Sequence, residues 1–482
     1  MKTKKILIIF LTLLSLTLAS ASCKKDKGTT PTPPTKPYVQ GWIYDNMKYW
    51  YYWTSQLTTN PNYSLDPSPF FSSLLYRGTD GDRFSWINPD YTTLINQLNG
   101  VNKEAGYESR LYLESAGSSN VIGQITYVKK GSPAAAAGLM RGDIYSEING
   151  TQMTVSNYQT LLGATGSNYS LRVKRYSTDT QTLVSNQVYN LVPVEFAENP
   201  VLMDSVYTFT TSGKKVGYLV YNFFSPGPDA TSKVYDQEVD NVFADFKSKG
   251  VNEVILDLRF NGGGAITSAT NLASLLVPGY TPTKVFINFQ YNTQVQADIL
   301  NEPTLGDSYL HQKFISKTSN IGGNITRFFV LTSGGTASSS ELIINGLKPY
   351  LPVVLVGDTT YGKNVGSITI TDDKNTTNTW GMQPIVLKIT NSLGSSDFTH
   401  GFAPDPANLD ADNRFYLRSL GDIREPLLNR ALNIITNGTM KSVQPLPSMA
   451  GKQIKGAYQL NPQKTTMYLS PNLSPLNKLS AH

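Results

Sequence analysis

Cysteine and histidine are almost missing from this 482-residue chain: one cysteine, at position 23, and three histidines, at 311, 400 and 482. A lone cysteine forms no internal disulfide, so each domain must be stable from its apolar core. A Ser-His pairing is open only through His311 or His400, because His482 is the last residue. Charge is also sparse, at 16%. The formal net charge of +6 falls to +3 once Lys2, Lys4 and Lys5 of the leader are set aside, which gives no case for nucleic acid. The apolar run 6–18 is too short to span a bilayer. No G-x-x-x-x-G-K-[ST] phosphate loop is present, and no metal or organic cofactor is indicated.

The chain is organised around FFVLTSGGTASSSE at 328–341. An apolar run, a glycine turn and three serines read as strand, sharp turn and helix, with helical spacing continuing at Leu342, Ile343 and Leu347. A serine there sits where unpaired N–H groups and the positive end of the helix dipole converge, a setting that stabilises an alkoxide or an oxyanion. The same Ser338-x-x-Glu341 string is also a capping box. Serine needs a base, and a buried lysine of lowered pKa can replace histidine. Lys363 fits that role: it follows the apolar run 353–356 and a turn, twenty-five positions after Ser338. A third element, LDLRFNGGG at 256–264, ends an apolar strand in three glycines whose bare N–H groups could face a carbonyl.

These three motifs, in this order and at these spacings, resemble the tail-specific, carboxyl-terminal processing proteases, the serine peptidases of family S41. The resemblance implies Ser338 as nucleophile, Lys363 as general base, an oxyanion hole from the amides of Gly263 and Ser339, and Glu341 as the glutamate closing the serine motif. Family members often carry a glutamine four residues after the lysine to orient it. Here that position is Ser367.

Along the chain, residues 1–22 read as a secretory signal and Cys23 as a lipidation site, although Ser20 stands where a lipobox has leucine. Residues 23–37 form a Pro- and Thr-rich tether. The segment 38–100 is helical and aromatic, with Ile43, Met47 and Trp50 at helical spacing as a packing face. The block 105–192 carries GSPAAAAGLMRGDIYSEING and resembles a PDZ domain, a small barrel-like α+β module that adds a peptide strand to its sheet edge. Its peptide-binding loop is expected at Gly106, Tyr107, Leu111 and Leu113, in a string that departs from the usual glycine-hydrophobic form. Residues 193–437 alternate strands and helices, and the resemblance implies an α/β core of the ClpP/crotonase type. The polar stretch 438–482 reads as a loosely ordered tail.

The expected protein is a lipid-anchored serine endopeptidase of the cell envelope that acts on protein or peptide substrates and uses no cofactor, with its oligomeric state open. Two alternatives remain: a peptide-binding lipoprotein of the same fold that does not cut, and an acyl-transfer enzyme of the crotonase type, for which no CoA site is found.

Overall fold

The computed structural model describes residues 36–177, 182–405, 408, 414–438, 447–454, 466–469, 476 and 479. The expected signal, Cys23 and most of the tether lie outside the described residues.

A five-stranded sheet forms the centre, in the order Val201–Phe209, Lys214–Tyr221, Glu253–Asp257, Phe328–Thr332, Val353–Gly357. The first pair is antiparallel and the others are parallel. Its strands read as continuous apolar runs because both faces are covered. Leu219, Tyr221, Val254, Leu256, Phe328 and Val330 pack on one side, in the cluster shared with the helices Ile266–Leu276 and Ser339–Leu347. Their strand neighbours Val216, Tyr218, Val220, Ile255, Phe329 and Leu331 pack on the other, against helix Pro426–Ile435. The alternation is the period-two geometry of a strand.

A second, six-stranded sheet covers the far side of the helices, in the order Gly264–Ala265, Met467–Leu469, Val365–Ile368, Ile385–Asn391, Val285–Tyr291, His311–Lys313. Here the structure corrects the sequence reading. Within the expected loose tail, Met467–Leu469 is a buried strand between Gly264–Ala265 and the strand that follows Lys363. The Tyr468 hydroxyl donates to the carbonyl of Leu98 at 3.1 Å. Three residues are too short for a periodic signal, so the sheet, not local pattern, makes this strand. The reading also lacked Val201–Phe209 and Val285–Tyr291.

The aromatic N-terminal helix Tyr38–Trp50 turns Ile43, Met47 and Trp50 into the same cluster as the central sheet, so this region is part of the core packing. Residues 107–191 form a separate antiparallel sheet in the order Tyr107–Leu113, Val121–Val128, Ile144–Ile148, Tyr169–Ser177, Thr182–Leu191, with the short strand Thr151–Gln152 beside Ile144–Ile148. This sheet has its own apolar cluster around Val121, Ile125, Tyr145 and Leu171.

Candidate active site

Ser338 stands between strand Phe328–Thr332 and helix Ser339–Leu347, at φ +65° and ψ −117°. A residue with a Cβ pays on the order of 1–3 kcal/mol for such a backbone, so its surroundings must hold it. They do so through the glycine loop after Asp257. The Thr336 hydroxyl donates to Leu258 O at 2.8 Å and the Ser333 hydroxyl to Arg259 O at 2.6 Å. Asn261 O accepts from Ala337 N–H at 3.1 Å and from the Ser340 hydroxyl at 2.9 Å. The strained turn leaves the Ser338 Oγ buried with no hydrogen-bond partner among the described residues.

Lys363 is fully buried, with its Nζ 4.7 Å from the centre of the Phe84 ring. Burial pushes its pKa down to about 7. Asp82 and Glu341 pull in the opposite direction and Arg83 pulls the same way as burial. Desolvation wins because an ammonium in an apolar wall loses its hydration.

Glu341 joins the two. One carboxylate oxygen accepts from the backbone N–H groups of both Ser338 and Lys363, each at 2.8 Å. The other accepts from the Thr360 hydroxyl at 2.6 Å and from Gly362 N–H at 2.7 Å. Burial pushes the Glu341 carboxyl up, and these donors oppose that shift. The glutamate half of a capping box is therefore present, and the same side chain also clasps the lysine turn. Its acceptor sites are spent on positioning.

Of the two amides expected to form the oxyanion hole, both stand at the serine. A Cβ built on Gly263, which has φ +117°, would lie 2.6 Å from Ser338 Cβ, 2.8 Å from Ser338 Oγ and 3.1 Å from Ser339 N. The Gly263 N–H, however, donates to Asn261 Oδ1 at 2.8 Å. In this structure that amide is engaged inside its own loop. Ser367, at the position of the family's orienting glutamine, is engaged elsewhere. Its hydroxyl proton goes to Met467 O at 3.0 Å, tying the lysine strand to the C-terminal strand.

His311 is bound to Asn288 and Asp307 on the outermost strand of the second sheet. The expected peptide-binding residues divide. Gly106, Tyr107 and Leu111 line a cavity of about 310 Å³ between strand Tyr107–Leu113 and Leu162. The Leu113 N–H is instead taken by Lys452 O at 3.0 Å.

Sequence reading missed Asp82, Arg83 and Phe84. The N-terminal region brings them to the lysine turn, where the Arg83 guanidinium donates to Gly362 O at 2.8 Å. Asp82 Oδ1 accepts from the N–H groups of Phe84 and Ser85. The string GDRF shows a charged pair inside an aromatic stretch, but no spacing rule links position 82 to 363. Arg259 was also unassigned. It is fully buried, bound to Asp257 and, as a fork, to Glu425 at 2.6 and 3.0 Å. Glu425 in turn caps the last helix through Leu428 N–H.

A cavity of about 340 Å³ opens beside Gly262, Gly263 and Gly264, with Phe223, Phe260 and Tyr127 on its walls. Lys129 also lines it, 2.7 Å from Glu104, 3.3 Å from Glu108 and 2.7 Å from Glu198. Burial alone would lower the Lys129 pKa, but the carboxylates hold it well above the usual value.

The family model described as peptidase family S41 matches residues 215–406, which carry the glycine loop, the serine turn and the lysine. The peptidase S41 N-terminal domain matches 38–86, and a PDZ domain matches 124–175. The chain belongs to peptidase family S41. A crystal structure from Bacteroides fragilis NCTC 9343, described as an S41 protease, is 27% identical with a TM-score of 0.67, covering 83% of this chain and 98% of that one. A chloroplastic C-terminal processing peptidase of Tetradesmus obliquus is 25% identical over 242 residues, covering 49% of this chain and 46% of that protein. A carboxyl-terminal-processing protease of Picosynechococcus is 26% identical over 243 residues, covering 49% of each. The chain thus spans about half the length of the curated relatives it matches. The S41 core, the PDZ domain and the N-terminal helices are the architecture expected from the sequence.

Proposed function

We propose that this S41 chain is a serine peptidase in which Ser338 is the nucleophile and Lys363 the general base. The observation that carries the reading is the buried lysine with its pKa pushed down to about 7, one glutamate away from a strained serine whose hydroxyl is unpaired among the described residues. Neutral Lys363 takes the Ser338 proton, and Oγ attacks the peptide carbonyl. The Ser339 N–H stabilises the oxyanion, joined by the Gly263 N–H when the substrate oxygen displaces Asn261 Oδ1. The protonated lysine passes its proton to the leaving amine, and water, deprotonated by the same lysine, hydrolyses the acyl-serine. Glu341 acts by position: it fixes the two turns and stays out of the proton path.

The cavity beside Gly262 to Gly264 is the place for the substrate chain, and the PDZ sheet edge at Gly106, Tyr107 and Leu111 is the place for a peptide strand. The signal at 1–22 and a lipid on Cys23 put the enzyme outside the cytoplasm on a membrane of the cell envelope. The test is cleavage of a mixed peptide library by the full chain beside Ser338→Ala and Lys363→Ala, with free and amidated C-termini compared. Cutting lost in both variants with the fold intact supports the dyad. Cutting unchanged in either variant refutes it.

A further inference from the structure

Strand Tyr107–Leu113 is the edge of the PDZ sheet, and the far end of that edge is already covered by the chain itself. Leu113 N–H donates to Lys452 O at 3.0 Å, Ile454 N–H donates to Leu111 O at 2.9 Å, and Tyr112 pairs with Gln453 in antiparallel sense. Ile454 packs on the same apolar cluster as Leu161 and Leu162 of helix Tyr158–Gly163, and Met449 packs against Tyr112, Ile122 and Ile144. Gly451 passes so close that a Cβ there would lie 1.7 Å from Leu113 O. Residues 414 and 415 hold the other end, through Phe415 N–H to Pro447 O at 2.8 Å and a bridge between Arg414 and Ser448.

This is how an extended peptide adds to an exposed sheet edge. Main-chain bonds hold it, and alternate side chains are pocketed. The direction also fits, because an antiparallel segment on this strand points its C-terminal end toward Gly106. The rest of the edge, from Gly106 to Ser109, borders the 310 Å³ cavity. The covered end and the cavity lie along the same strand, and both include Leu111.

We infer that residues 447–454 are an intramolecular ligand of the PDZ edge strand, and that a peptide engages the full groove only by exchanging with this segment. The inference rests on the reading of strand Tyr107–Leu113 as a peptide-accepting edge. It does not require that the enzyme cut. Two ladder bonds and two apolar side chains, Ile454 and Met449, make a short contact, suited to exchange. Peptide capture is thereby coupled to the release of a segment whose continuation supplies Met467–Leu469, the strand beside Gly264.

The experiment uses the full-length Ser338→Ala chain, so that binding is read without turnover, and a fluorescein-labelled peptide of residues 447–454 with a free C-terminus. Gly451→Val and Ile454→Ser are each added to that chain, with folding checked by thermal unfolding. Anisotropy is expected to show at least tenfold tighter binding in both variants. Equal affinity in all three folded chains overturns the inference. Hydrogen exchange on the chain carrying neither added substitution gives a second reading. At saturating peptide the Ile454 amide loses protection while the Leu113 amide keeps it; protection unchanged at Ile454 overturns the inference as well. If the peptidase reading fails, no chain with Ser338 restored cuts, yet both binding readouts still decide the question.

Discussion

Ser338 and Lys363 donate their backbone N–H groups to the same oxygen of Glu341, each at 2.8 Å. A single buried carboxylate therefore sets the spacing of the two turns that carry the proposed nucleophile and base. The clasp also explains how a serine at φ +65° is kept in place: it is bound at its own N–H and, through its neighbours, to the glycine loop.

Replacing that oxygen should loosen both turns together. Glu341→Gln swaps one acceptor for an amide that faces two donors, which costs about 3 kcal/mol of stability, read from the urea midpoint. Peptide cleavage should fall at least a hundredfold. A variant with full stability and full activity would show that the clasp has no role.

The lysine makes stability and rate depend on pH in linked ways. Its folded pKa of about 7 lies below the ordinary 10.5. Between these values the unfolded chain holds a proton that the folded chain lacks, so this group's contribution to stability improves as pH rises from about 7 to 10.5. Below about 7 its cost is constant and largest. Lys363→Met should therefore stabilise the protein at pH 7 by a margin on the order of 4 kcal/mol, and the margin should shrink toward pH 10. Denaturant titrations at three pH values check this.

Asp82 tests the N-terminal contribution. Its charge raises the Lys363 pKa, so Asp82→Asn should shift the acid limb of the cleavage profile to lower pH. The Oδ1 acceptor for Phe84 and Ser85 is retained in the variant, which keeps the loop built. An unmoved acid limb would remove Asp82 from the lysine's electrostatics.

Gly263→Ala places a Cβ 2.6 Å from Ser338 Cβ at a φ of +117°. Cleavage should drop about a hundredfold or more, the scale of losing an oxyanion donor, while substrate binding measured in the Ser338→Ala chain changes little.

What was legible in the sequence is what short-range chemistry writes there. The strand-turn-serine string, the triple glycine and the Gly362-Lys363 turn each carry a local pattern, and the resemblance joined them into one site. Asp82 and Phe84 reach the lysine only because the N-terminal helices pack into the same core as the central sheet, and nothing local announces that. The tail misled for a related reason. Its polar, Pro-rich composition from 438 onward reads as solvated chain, yet Met467–Leu469 is completed by partners at 264 and 367. Nothing in the string around Asn261 shows that its side chain holds the Gly263 amide, because the fold of the loop decides it.

The most direct test of the central claim is the rate at which a fluorophosphonate phosphonylates Ser338 as a function of pH, with the modified residue located by mass spectrometry. A neutral-lysine base predicts labelling at Ser338 alone, a rate that rises with pH through a single step near 7, and no labelling of folded Lys363→Ala. A rate flat from pH 5 to 9, or labelling that survives loss of Lys363, would contradict it.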